Sequence, residues 1–300
     1  MNRGGAGNRP SKRSSNPGRF KEREASALRT FESWVALEDD DQLDLARAAL
    51  ALAEALDPSV DVEACVARLD ALAEGARALV PPGARPAQVV EALNRHLFQE
   101  QGFRGNLEQY YDPQNSLLHR VLDRKVGIPI TLSLVYLEVG QRLGLPMVGV
   151  GLPGHFVVKV ADAEEELLLD PFYGGQRLDR ATCQKRLDAI YGGKVVLSEQ
   201  FLRAVGKREI LARMLYNLKR VYTKAGDRVH TLRVLDLLLA LQPYAFEERR
   251  DRGLLRYQQG QYEAALQDLR AYLSFLPSPP DAGTVLRAIA ACERLRAPHS

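Results

Sequence analysis

Between Gly127 and Asp170 the sequence permits few arrangements. Pro129 stands where a proline is tolerated at a helix start, because its missing N–H would have no intrahelical partner there. From Ile130 to Leu143 the apolar residues Leu134, Val135, Leu137 and Val139 follow helical spacing, with Glu138, Gln141 and Arg142 off that face. Gly144 and Pro146 stop the helix. Met147–Val150 and Phe156–Val160 are short and β-branched, parted by the turn residues Gly151, Leu152, Pro153 and Gly154. After an acidic turn, Leu167–Leu169 forms a third strand closed by Asp170 and Pro171. The pattern predicts one helix followed by three strands.

His155 then opens the second strand and Asp170 closes the third. In an antiparallel pair joined by a short turn those two ends are neighbours. A carboxylate there would fix the imidazole's tautomer and raise its basicity. A structural His–Asp pair with no chemistry satisfies the same spacing.

The arrangement resembles the transglutaminase-like fold, a relative of papain-type cysteine proteases. More narrowly it is similar to the bacterial SirB family, in which such a domain precedes a TPR segment. The residues that carry the resemblance are Tyr111-Asp112-Pro113, Asn115-Ser116, Gly127 to Ser133, Pro153-Gly154-His155-Phe156 and Asp170-Pro171-Phe172. It implies an α+β fold: a helical N-terminal part, a papain-like core of helix plus antiparallel sheet, and C-terminal TPR α-helical repeats. It also implies a binding groove drawn from Tyr111, Asn115, Ser116, Gly127, Pro129, Thr131, Gly154 and Phe172. In the superfamily a Gly-x-Cys begins the helix, and its thiolate is the nucleophile. Here Pro129 holds the matching position. Thr131 and Ser133 are the nearby hydroxyls, but a hydroxyl inside a helix usually bonds the carbonyl one turn back.

Composition narrows the function further. The three cysteines, Cys65, Cys183 and Cys292, are too few and too scattered for a disulfide framework, which points to a reducing compartment, the cytoplasm. Neither they nor the five histidines have metal-ligand spacing, so no metal and no cofactor are expected. Cys183, on a helix expected from Arg180 to Tyr191, reads as an inert thiol. No apolar run is long enough to span a membrane, and no apolar segment follows the charged N-terminus as in a secretory signal.

Residues 1–23 carry seven basic residues against Glu22 alone, +6 where the whole chain is +3, so the remainder is −3. Rich in Gly, Asn, Ser and Pro, this stretch reads as a disordered basic tail with at most weak contact to nucleic acid or an anionic surface. Residues 24–200 read as the transglutaminase-like domain with its N-terminal helices. The triple acid Asp39-Asp40-Asp41 reads as a cap on the next helix. Asn115 or Ser116 is expected to cap a short helix carrying His119, itself a packing or surface residue.

Residues 207–296 contain a repeat. At an offset of 34 residues, Gly226 matches Gly260, Leu232 matches Leu266, Leu239 matches Leu273 and Pro243 matches Pro277. That is the TPR period. Two repeats and a final helix are too few for a free solenoid, so they are expected to pack on the preceding domain through Leu211, Leu215 and Leu218. The sequence therefore points to a module that binds a protein or peptide through the groove and the TPR face. The alternative is a hydrolase or acyl-transfer enzyme using His155 and Asp170 with water, Thr131 or Ser133.

Overall fold

The structure, a computed structural model, describes residues 17–37, 39–161 and 167–296. Helices α1 (Pro17–Val35), α2 (Leu45–Leu56), α3 (Val62–Arg77) and α4 (Pro86–Asn94) come first. α1 starts earlier than the sequence suggested: residues 17–23, read as tail, are helical. Phe31 and Ala27 anchor the helix in the core, and helix formers such as Glu22 and Arg23 extend a helix once it is nucleated. Residues 1–16, and with them most of the basic tail, lie outside the described residues.

Asp44 and Asp61 cap α2 and α3, accepting from Arg47 N at 2.9 Å and Ala64 N at 3.0 Å. Of the triple acid, only Asp39 caps its own turn. Asp40 reaches across the chain and accepts from the backbone N–H groups of Lys207 and Arg208, at 2.5 and 3.1 Å.

A two-residue parallel pair follows, β1 (Arg104–Gly105) with β2 (Val126–Gly127), enclosing α5 (Leu118–Arg124). Neither Asn115 nor Ser116 caps α5; both lie in a buried 3-10 turn, Pro113–Ser116, and Leu117 takes the cap position without a side-chain bond. Asn115 is committed elsewhere, its Nδ2 donating to Gln109 O at 2.7 Å.

α6 (Pro129–Arg142) is the axis of the fold, buried along nearly its whole length. Strands β3 (Met147–Val150), β4 (Val157–Val160), β5 (Leu167–Asp170) and β6 (Gln176–Leu178) follow, then α7 (Arg180–Tyr191) and β7 (Ala204–Val205). They form one antiparallel sheet in the order β6-β5-β4-β3-β7. Strand alternation divides its side chains. Val158, Val160, Leu167 and Leu169 join the main core against α6, while Val150, Val157, Leu168 and Leu178 meet Cys183 of α7 on the other face.

The C-terminal part is all helix: α8 (Lys207–Ala225), α9 (Arg228–Leu241), α10 (Phe246–Gln258), α11 (Tyr262–Phe275) and α12 (Ala282–Arg296). Gly226 and Gly260, the residues matched at an offset of 34, turn the chain between α8 and α9 and between α10 and α11, with φ of +71° and +74°. Leu211, Leu215 and Leu218 of α8, with Val234, Leu237 and Leu238 of α9, belong to the main core. The first repeat is thus built into the domain before it. α10 to α12 pack around smaller clusters centred on Leu269 and Ala265. Arg252 grips the nearly buried Asp268 with two hydrogen bonds, of 2.8 and 2.6 Å, and also reaches Asp236 at 2.8 Å.

Candidate functional site

The site lies where the start of α6, the approach to β4 and the end of β5 converge. Gly154 turns the chain at φ +71°, with Ile190 and Tyr191 of α7 close against it. A side chain there would be strained in conformation and cramped in space. The turn delivers His155, whose N–H bonds Leu152 O at 3.0 Å. β4 itself begins at Val157, so His155 precedes the strand rather than opening it.

His155 Nε2 lies 2.7 Å from Oδ2 of Asp170. Asp170 is fully buried, and its Oδ1 accepts the Phe172 N–H at 3.0 Å. A carboxylate facing Nε2 holds the proton on that nitrogen, leaving Nδ1 as the ring's lone-pair side. The sequence did not reveal the third member. Arg186, from α7, pairs with the same Oδ2, and its guanidinium stands 4.4 Å above the Tyr173 ring. The Asp170 charge is therefore already matched by a cation. No motif marks Arg186; its position one turn after the buried Cys183 is the only hint, and it needs the sheet to be interpretable.

His155 opens onto a cleft of about 720 Å³. Of the groove residues named from the sequence, Tyr111, Pro129, Gly154 and Phe172 line it. Asn115, Ser116, Gly127 and Thr131 do not; all four are buried. Thr131 is fully buried, its hydroxyl donating to Asn115 O at 2.6 Å and accepting the Ile128 N–H at 3.1 Å. Ser133 is equally buried and donates to Phe156 O at 3.3 Å. Both hydroxyls are spent on backbone groups. Pro129, which opens α6, lines the same cleft as His155.

The opposite wall comes from α8. Arg213, Tyr216, Asn217 and Arg220 recur at helical spacing on the side away from Leu211, Leu215 and Leu218. Sequence reasoning assigned α8 to packing alone and missed this second face.

The family profile for the transglutaminase-like superfamily matches residues 63–216, and that for the tetratricopeptide repeat matches residues 218–291. A protein of Xylella fastidiosa called UPF0162 protein is 37% identical over 247 residues, 81% of this chain and 88% of that protein. The chain belongs to the UPF0162 family of transglutaminase-like proteins. A UPF0162 protein of Vibrio cholerae is 33% identical over 82% of this chain and 91% of its own length. Mouse F-box only protein 21 is 32% identical over 173 residues, 52% of this chain but 26% of that protein.

Elsewhere in this UPF0162 chain, Cys183 is fully buried and lines a separate cavity with Leu168 and Leu178, so it is not part of the His155 cleft. Burial pushes its thiol up, only partly opposed by Arg186. A second His–Asp pair lies inside the helical part, His119 Nε2 being 3.1 Å from Asp57 Oδ2. Burial lowers His119 below its ordinary value despite that partner. Burial alone would raise Asp57, but hydrogen bonds from Ser59, His119 and Arg120 outweigh it and hold the carboxyl far below its usual range. The His119 Nδ1 atom is buried with no partner among the described residues, and His119 does not line the His155 cleft.

Proposed function

We propose that this UPF0162 chain binds a peptide segment of a protein partner in the His155 cleft and does not cleave it. One observation carries the reading: Thr131 and Ser133, the hydroxyls near the start of α6, are buried and bonded to backbone, and Pro129, which lines the cleft, has no nucleophilic atom. A His–Asp pair without a nucleophile in reach still offers a lone pair on Nδ1, which can accept a peptide N–H. Helix α8, within which the transglutaminase-like and repeat matches meet, closes the other wall, and Arg220 is the repeat region's contribution to it. The free, buried cysteines fit a reducing cytoplasm, and no helix among the described residues is long and apolar enough to cross a membrane.

The test is turnover of a broad panel of peptides, amides and esters by the purified protein beside His155→Ala. The expected result is no turnover in either. Turnover that disappears in a folded His155→Ala protein would overturn the reading in favour of a hydrolase using water on the His155–Asp170 pair.

A further inference from the structure

Resting on the peptide-binding reading above, we propose that the cleft selects an acidic peptide, one with carboxylates on more than one residue flanked by apolar side chains. The charges of the cleft are one-sided. Its lining includes two cations, Arg213 and Arg220, and contains no Asp or Glu. Asp170, beneath it, is already paired with Arg186. Arg220 and Lys224 both lie 4.9 Å from the Tyr111 ring, and no carboxylate accompanies either among the described residues. Arg213 has an ion partner, Glu209 at 2.9 Å, but that carboxylate is about half exposed, and an exposed pair of this kind is weak enough to exchange. The missing element is an anion.

The apolar half of the ligand follows from the rim. Leu107 is 70% exposed, Tyr111 and Tyr173 are each 50% exposed and Ile190 is 47% exposed, and all four surround this one cleft. Exposed large side chains gathered at one opening mark an interaction site. Arg213 and Arg220 lie seven positions apart on α8, about 10 Å along its axis. One carboxylate does not span that distance, whereas an extended peptide rises about 3.3 Å per residue and brings a second acid to it within a few residues.

Basic and aromatic linings also serve single-stranded nucleic acid, whose bases stack on open ring faces. Here cations already sit over Tyr111 and Tyr173. That favours the peptide.

The experiment screens the full chain against an array of short peptides graded in Asp/Glu content and in apolar content, then measures the strongest by fluorescence anisotropy. Each is measured beside its Gln-for-Glu, Asn-for-Asp counterpart and a labelled oligo(dT). Removing the peptide's acids, or Arg220→Gln in the protein, should weaken binding roughly tenfold, and added salt should weaken it further. Arg220 is exposed, so the variant folds, and Arg294→Gln on α12 removes one charge at a distance and should change nothing. Equal binding of charged and neutral peptides, insensitive to Arg220→Gln, would overturn the acidic specificity while leaving a peptide cleft. Array binding that ignores the cleft variants Arg220→Gln and His155→Ala, or no binding at all by the folded chain, would remove the peptide-binding reading with it. Tighter binding of oligo(dT) than of any peptide would replace both.

Discussion

Asn94 and Gly175 are locked together across the fold. Asn94 Nδ2 donates to Gly175 O at 3.1 Å, and a Cβ on Gly175 would stand 1.9 Å from Asn94 Oδ1. The same Oδ1 accepts the hydroxyl of the buried Tyr136, on α6, at 2.8 Å. Asn94 thereby ties the turn after Asp170 to the central helix. Gly175 also has φ +74°, so it cannot accept a side chain on either count. Gly175→Ala should cost about 2–4 kcal/mol in urea unfolding. Combined with Asn94→Ala, the loss should be smaller than the sum of the single losses, because the clash disappears with the amide. Simple additivity would show that backbone strain, not the contact, sets the cost.

Arg186 matches the charge of a fully buried carboxylate that His155 also contacts. Removing one partner of a buried pair leaves the other charge uncompensated. Arg186→Met should therefore lower stability by about 3 kcal/mol or more, read as a reduced midpoint of denaturation. The double variant Arg186→Met/Asp170→Asn should recover part of that loss. No recovery would mean that Arg186 acts through its packing on Tyr173.

Pro129→Cys places a thiol at the start of α6, in the cleft that holds His155. A thiol at a helix N-terminus beside an imidazole loses its proton more easily than a free one. Alkylation by iodoacetamide should then run well below pH 8, about one pH unit or more below an exposed cysteine, and His155→Ala should reverse the shift. An unshifted profile would show that His155 does not face residue 129 closely enough to matter.

His119 gives an acid-sensitivity with a defined sign. Burial lowers it in the folded chain from its ordinary 6.5. The unfolded chain therefore takes up this proton first as pH falls. The contribution of a neutral His119 to stability is complete above about pH 6.5 and is lost progressively below it, toward the lower folded value. Asp57, held below its usual range, adds its own loss only in stronger acid, below about pH 4. His119→Gln should flatten the stability profile just below about pH 6.5 without changing the steep loss that Asp57 adds in stronger acid. A profile unaltered in that window would assign the acid response to other groups.

Asp40 caps a helix that begins 167 residues later. Asp40→Ala should cost about 1–2 kcal/mol, in line with loss of a cap, and loosen the start of α8 first, visible as faster amide exchange at Lys207 and Arg208. Asp39→Ala, whose side chain serves only its local turn, should cost less.

How much of this was legible in the sequence depended on whether the signal was local. Pro129, Gly144 and the β-branched runs fix α6 and the strands because each acts on its own neighbours. The 34-residue offset fixes Gly226 and Gly260 for the same reason. The His155–Asp170 contact could be anticipated because hairpin geometry brings the two strand ends together. What escaped were partnerships across the fold. Asp40 read as a cap on the nearest helix, and only folding brings it to α8. Asn115 and Ser116 read as groove and cap residues, yet both are buried and neither lines the cleft. Arg186 and the Arg213–Arg220 face carry no pattern that separates them from ordinary solvated charges until the sheet and α8 are in place.

α8 is one unbroken helix, yet the two family profiles meet inside it, at residues 216 and 218. Its inward residues complete the main core and its outward ones form a wall of the cleft. A gene rearrangement at that seam would therefore not exchange one module for another. It would cut through a shared beam, so the two halves are expected to be inherited as one unit, and a new repeat array could be added only beyond α9.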